Sequence, residues 1–208
     1  MRLKELAERS GTSQASIKYY LRERLLPPGR RINATLAEYD ESHLMRLRLI
    51  AALRQIVGTP IEEIRALVAM LDAPQPDRYE TLGRAQLVAL GLPVGAQAPA
   101  ASEPDVVTDL LEGRGWTHAT EVRGLLAEQV RAMLGWGIPV PRERLESYAD
   151  ATAVLAQEDI GYVESAGSLD EAVLRVAVGT YTFNQLFLRT LAVAQAERAR
   201  GPAVSAPD

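Results

Sequence analysis

Most of the aromatic side chains, Trp116, Trp136, Tyr148, Tyr162, Tyr181, Phe183 and Phe187, fall in the C-terminal half of the chain. Rings of this kind with a few polar groups among them wall in drug-sized apolar ligands, and the same rings serve equally well as core packing. The cations lie elsewhere. Residues 1–72 carry 12 Lys and Arg against 9 Asp and Glu, a net of +3, whereas residues 73–208 carry 11 against 18, a net of −7. That segregation is expected if the first part meets phosphates and the second does not, although solvated faces produce the same asymmetry. With no cysteine, disulfides and thiolate metal sites are excluded, and two lone histidines, His43 and His118, are too few to replace them. No metal site and no cofactor are implied. Carboxylates are scattered, no Gly-rich loop follows a strand, and neither histidine has a Ser or Asp partner by motif, so nothing points to an enzyme.

The elements that would position these groups are mostly helical. Leu3, Leu6 and Ala7 form an i, i+3, i+4 stripe that stops near Ser10-Gly11, where glycine suits a left-handed helix end. Ser13 offers an N-cap for a second helix from Gln14 to about Arg24, with Ile17, Leu21 and Tyr20 inward. Two helices separated only by Gly11-Thr12-Ser13 make a helix-turn-helix, whose second helix can enter a DNA major groove. Pro27 to Tyr39 lacks helical periodicity and contains Pro-Pro-Gly, Arg30, Arg31, Asn33 and the alternating Thr35-Leu36-Ala37, which predicts a β-ribbon or wing. Asp40 caps a third helix carrying Leu44, Leu47, Ile50 and Ala51. Thr59-Pro60-Ile61-Glu62 predicts a capping box for a fourth, with Ile61, Ile64, Leu67, Val68 and Leu71 on its inner side. A short helix from Arg78 to Leu90 follows, then a Gly, Ala, Pro and Ser linker to Pro104. Further helices are expected at Asp105–Gly113, Thr120–Leu134, Arg142–Glu158 and Leu169–Ala199, with a disordered tail at 201–208.

The order and wording of the first third resemble the MerR family of bacterial regulators. The matching segments are Leu3-Lys4-Glu5-Leu6-Ala7, Gly11-Thr12-Ser13 leading to Ser16-Ile17-Lys18-Tyr19-Tyr20, Leu25-Leu26-Pro27-Pro28, Tyr39-Asp40-Glu41 followed by Leu44 to Ile50, and Thr59 to Arg65. The resemblance implies a homodimer whose recognition helices and wings bind one operator in double-stranded DNA, and distortion of promoter DNA so that RNA polymerase can use it. Under it, Ser13, Gln14, Ser16, Lys18 and Tyr19 reach base edges or phosphates, Tyr20 and Arg22 reach the backbone, and Arg30, Arg31 and Asn33 belong to the wing. Taken without the family, Lys18 and Arg22 read as a solvated edge and Tyr19-Tyr20 as core rings. Two positions depart from the family pattern. Leu21 stands where a glutamate is usual, and Leu36-Ala37-Glu38-Tyr39 lacks the usual Tyr-Arg pair of the wing. Arg46, Arg48 and Arg54 of the third helix are expected on the surface, outside the site.

The fold class read from the sequence is therefore mostly α: a winged helix-turn-helix with a small β wing at 1–72, a connecting helix and linker at 73–104, and a helical domain at 105–200 that binds an effector or dimerises. A helical domain behind a DNA reader suits a small-molecule effector, here non-metal and largely apolar. The last helix, with Val173, Ala177, Thr180, Asn184, Phe187 and Leu191 on one face, is a dimer seam alternative to the connecting helix. The opening residues show no leader, and Ala172–Ala196 carries Arg175, Asn184, Gln185 and Arg189. A central arginine costs about 2.5–3.5 kcal/mol to insert into a bilayer, so no membrane partner and a cytoplasmic location are expected. The competing reading is an adaptor that uses the winged helix to hold a protein partner.

Overall fold

The computed structural model describes residues 1–33, 36–97, 102–118 and 120–200. Helix α1 (Leu3–Ser10) stops at Gly11, whose φ of 63° lies in the left-handed region. Ser13 then opens α2 (Gln14–Arg22) by accepting from the Ser16 amide. This helix ends two residues earlier than its periodicity suggests. Arg24 turns to a φ of 58°, and the Leu25 and Leu26 amides both fold back onto the Tyr20 carbonyl at 2.9 and 3.2 Å. The wing is a two-stranded antiparallel ribbon of β1 (Arg30–Arg31) and β2 (Ala37–Glu38), paired Arg30 to Glu38 and Arg31 to Ala37. Thr35, expected within it, lies outside the described residues, as do 98–101 of the linker and the tail 201–208.

Helix α3 (Glu41–Ala52) carries a capping box in which Asp40 accepts from the His43 amide while His43 receives the Asp40 amide. A π-helical turn, Leu53–Val57, continues it to Gly58 at φ 81°. Helix α4 (Ile61–Leu71) lacks the expected Thr59 capping box: Pro60 occupies the cap position and no side chain caps the helix. The Thr59 amide is drawn back to the Leu53 carbonyl at 2.8 Å by the wide π turn, leaving its hydroxyl buried without a partner among the described residues. Then come α5 (Arg78–Ala89), capped by Asp77, α6 (Asp105–Gly113), α7 (Thr120–Gly135), α8 (Arg142–Glu164) and α9 (Leu169–Arg200). The architecture is mostly α with a small β wing, and α8 runs six residues past its expected end at Glu158. Among the described residues no helix is long and apolar enough to cross a membrane.

The chain forms two compact units, residues 1–91 together with the stretch from Ala166 onward, and residues 92–165. This division differs from the single domain read over 105–200, because α9 packs with the N-terminal helices. Its first half is apolar on several sides, and Ala172, Val173 and Ala177 are buried where it meets α3, the π turn and α5. The core of the helix-turn-helix and ribbon is Leu6, Ile17, Leu26, Tyr39, Leu44 and Leu47, with Leu3, Ala7, Tyr20 and Leu21 packed against it. The second unit has a small aliphatic core of Val107, Leu110, Leu111, Ala127, Val130, Leu145 and Ala149. The Glu103–Arg123 pair, at 2.8 and 3.0 Å, closes its polar side.

The sequence places Arg46 on the surface, and the structure overturns this. Arg46 is 5% exposed. Its Nη1 and Nη2 donate to Asp72, at the end of α4, at 3.2 and 2.8 Å, and its Nε and Nη2 donate to Asp170 in the first turn of α9. Burial alone lowers the guanidinium pKa, but bonds to the two carboxylates outweigh it and raise the pKa above the ordinary value. Five fixed donors match two carboxylates in a way a lysine cannot. Arg48 and Arg54 are exposed, as expected. Arg46 is the buried member, while Asp170 is 23% and Asp72 42% exposed, so its removal leaves two partly solvated carboxylates unpaired and a cavity where the side chain lay. Arg46→Ala is therefore expected to cost about 3 kcal/mol in urea unfolding of the full chain, and Arg46→Met distinctly less because it refills the volume. A loss within about 0.5 kcal/mol for Arg46→Ala, the range of ordinary surface changes, contradicts this account.

Candidate nucleic-acid interface

The second helix is aimed by one buried residue. Ile17 is fully buried against Leu6 of α1 and Leu44 and Leu47 of α3, and Tyr20 and Leu21 lean on the same core. With successive residues 100° apart, this turns Gln14, Ala15, Lys18 and Arg22 to solvent, and all four are exposed. Tyr19 is half-buried on the same side, and its ring stands edge-on to Tyr20 at 5.6 Å. The Arg22 guanidinium lies 5.5 Å from the Tyr19 ring centre, a cation–π contact that holds it along the helix. Lys18 has no ion-pair or hydrogen-bond partner among the described residues. The hydroxyls of Ser13 and Ser16 are 2.9 Å apart, and Ser13 also accepts the Ser16 amide at 3.0 Å, so both are spent on the helix start.

Beside this helix in sequence stands the ribbon. Arg30, Arg31 and Asn33 are exposed. Arg30 donates to Glu38 directly across the ribbon. Gly29 is there because a side chain would not fit: an added Cβ would lie 2.7 Å from the Glu38 carbonyl oxygen and 2.9 Å from the Tyr39 ring. Met1 pairs with Tyr39 in both directions, at 2.6 and 2.9 Å, and ties the ribbon to the start of the chain. Arg9 reaches Glu41 through two bonds of 2.5 and 3.0 Å, which joins α1 to α3. The structure thus puts the DNA-contact candidates in one unit, on one helix and one ribbon.

The aromatic candidates are distributed differently. Trp116, Trp136, Tyr148 and Tyr162 lie in the second unit and are exposed, Trp136 by 75%, and its aliphatic core contains no ring. Arg114 stacks 5.5 Å from the Trp116 ring centre. Tyr181, Phe183 and Phe187 lie on α9 in the first unit. The described residues bring no three His, Asp or Glu side chains together as metal ligands would.

Sequence reasoning passed over three groups. In the sequence Glu38 stands out only as a departure from a family pattern, yet cross-strand register makes it the partner of Arg30. His43 completes the cap of α3, its Nδ1 2.8 Å from Asp40. The Asp40 carboxyl is held well below the usual carboxylate range by the Ser42 hydroxyl and then by His43. Arg46 was set aside. An eight-residue spacing across a short ribbon is the one signal that could have found the Arg30–Glu38 pair.

Comparison with known proteins fits this geometry. Residues 1–71 match the MerR HTH family of regulatory proteins. A curated relative, the HTH-type transcriptional regulator ZntR homolog of Haemophilus influenzae, is 30% identical over 80 residues, 38% of this chain. The matched stretch spans 58% of that protein's length. Among solved structures, a provisionally assigned transcriptional regulator from Streptomyces coelicolor A3(2) superposes with a TM-score of 0.70 and 30% identity over the full length of both chains.

Proposed function

We propose, from the match of residues 1–71 to the MerR HTH family and the full-length likeness to a transcriptional regulator, that the chain is a MerR-type regulator in which α2 enters the major groove of operator or promoter DNA while the ribbon lies along the neighbouring backbone. The observation that carries this reading is the outward stripe of Gln14, Lys18 and Arg22 on a helix locked from behind by Ile17. Gln14, Lys18 and Tyr19 take base edges or phosphates, Tyr20 and Arg22 the backbone, and Arg30, Arg31 and Asn33 the wing contacts. Ser13 and Ser16 hold the helix start in register. The net charge of +3 over 1–72 supplies the attraction that the whole chain, at −4, lacks.

The working form is a homodimer. One small module seldom gives useful specificity, and paired half-sites do. The connecting helix α5 is already engaged, with Thr81, Ala85, Leu87 and Val88 buried in contacts with α4 and α9. The far half of α9 keeps Phe183, Leu186, Leu188 and Val193 exposed, which supports it as the seam. The α6–α8 unit is the sensor of a largely apolar effector, and both tryptophans lie in it. RNA polymerase at the same promoter is the downstream partner.

Three measurements test these parts. Lys18→Ala is expected to weaken binding to specific and random duplexes alike and to flatten the plot of log K against log salt by about 0.9, one phosphate contact. An unchanged slope makes Lys18 a solvated edge, and no salt-dependent binding by the wild type favours a protein-binding adaptor. Light scattering is expected to give twice the chain mass of 22.7 kDa at micromolar concentration; a monomer with and without DNA rules the dimer out. Tryptophan fluorescence from Trp116 and Trp136 is expected to shift with an apolar effector, and binding must favour one dimer geometry to alter DNA affinity. No spectral or thermal shift across a broad hydrophobic compound set removes the sensor role.

A further inference from the structure

Of the two exposed arginines of the ribbon, Arg30 already has an anion. Arg30 and Glu38 are direct cross-strand partners, so their side chains leave the same face of the ribbon and meet in an ion pair. Arg31, one residue on, sits opposite Ala37 and faces the other way with no countercharge across from it. The pairing register has little room to slip. Gly29 lies tight against Glu38 and Tyr39, Met1 pairs with Tyr39, and the Ile32 amide donates to the Leu36 carbonyl at 2.9 Å. A slip of one residue would carry Glu38 to the opposite face. The Arg30 contact, followed by smaller effects of the terminal amine and Arg2, keeps the Glu38 carboxyl below the usual range. The pair is open to solvent, Arg30 by 77%, so an incoming phosphate can reach the guanidinium.

We infer that Glu38 is an internal competitor for the phosphate that Arg30 would otherwise hold, an attenuating residue that sets how strongly the ribbon grips DNA. Carboxylate and phosphate are alternative occupants of one guanidinium fork, with similar bidentate geometry. To contact DNA, Arg30 must give up Glu38, and the released carboxylate then repels the same backbone. Exposed ion pairs are weak, so the brake is a modest one. This inference rests on the reading of α2 and the ribbon as a DNA-facing surface.

The test is equilibrium binding of the full chain to a random-sequence duplex over a salt series of roughly 50 to 200 mM. Four proteins are compared: wild type, Glu38→Gln, Arg30→Ala and the double variant, with Glu38→Thr as a second uncharged replacement should Glu38→Gln melt early. Neutralising Glu38 is expected to tighten binding about fivefold and to steepen the salt slope by about 0.9, one added phosphate contact. In the Arg30→Ala background the same change is expected to give a clearly smaller gain, the part due to repulsion alone, with no added steepening of the salt slope. A gain of equal size in that background means that Glu38 acts only as a general charge, and no gain in either background means that it does not compete; both overturn the inference. Lys18→Ala in the same series separates the two layers. If Lys18→Ala flattens the slope while Glu38→Gln is silent, only the attenuator fails, whereas no salt-dependent binding by any of these proteins removes the DNA reading and this inference together.

Discussion

A single guanidinium, taken out of water and clasped by two carboxylates, holds the first unit together. Arg46 stands on α3, Asp72 closes α4, and Asp170 comes from 124 residues further along the chain at the start of α9. Burying an ion is costly, and a lone arginine at that position would unfold the site rather than order it. With both carboxylates present the positive charge is more than matched, and the remaining negative charge sits where the first turn of α9 points its free amides. Because the fork accepts partners only in its own plane, it sets direction as well as attraction. The apolar face of α9, through Ala172, Val173 and Ala177, then follows into contact with α3 and α5.

The exposed face of α2 and the ribbon is built on the opposite policy. Helix α2 is held from behind by apolar packing, and two of the exposed cations on it and the ribbon are already paired, Arg22 with Glu23 and the Tyr19 ring and Arg30 with Glu38, as are the neighbouring Arg9 with Glu41 and Arg65 with Glu23. Exposed pairs of this sort contribute little to folding. Their effect is on what the surface presents to a polyanion, because each pair must be exchanged before the cation is available. Lys18, Arg24 and Arg31 stand outside this pattern among the described residues. A regulator of acidic overall charge, −4, thereby offers a small number of committed contacts in place of a broad basic face.

Local signals in the sequence carried most of the fold. Ser13 and Asp40 were legible as caps, Gly11 as a helix end and Ile17 as an inward residue, because each acts on neighbours within four positions. Signals that depend on distant partners were not. Arg46 looks like any helix-surface cation until Asp170 arrives, and α9 looks like part of a C-terminal domain until its buried face is matched to α3 and α5. The Thr59 capping box had the right letters and the wrong place, since the π turn before it draws the Thr59 amide to Leu53. The DNA-contact candidates were read from local words and lie together on one helix and ribbon. The aromatic candidates were read from composition alone, which says nothing about which unit a ring joins, and they fall in both.

The first unit is discontinuous: the chain leaves it at Gly91 and returns at Ala166. On the ribosome, synthesis runs from the N-terminus at roughly 5–20 residues per second, so the winged helix and α5 emerge several seconds before the helix that completes them. During that interval the buried face of α5 lacks its main neighbour and Arg46 has one carboxylate instead of two. Until the last helix arrives, the apolar face of α5 that it covers is open to solvent. A premature stop anywhere beyond α5 and before α9 yields a polypeptide with all of α2 and the ribbon present and the wall behind α3 and α5 missing.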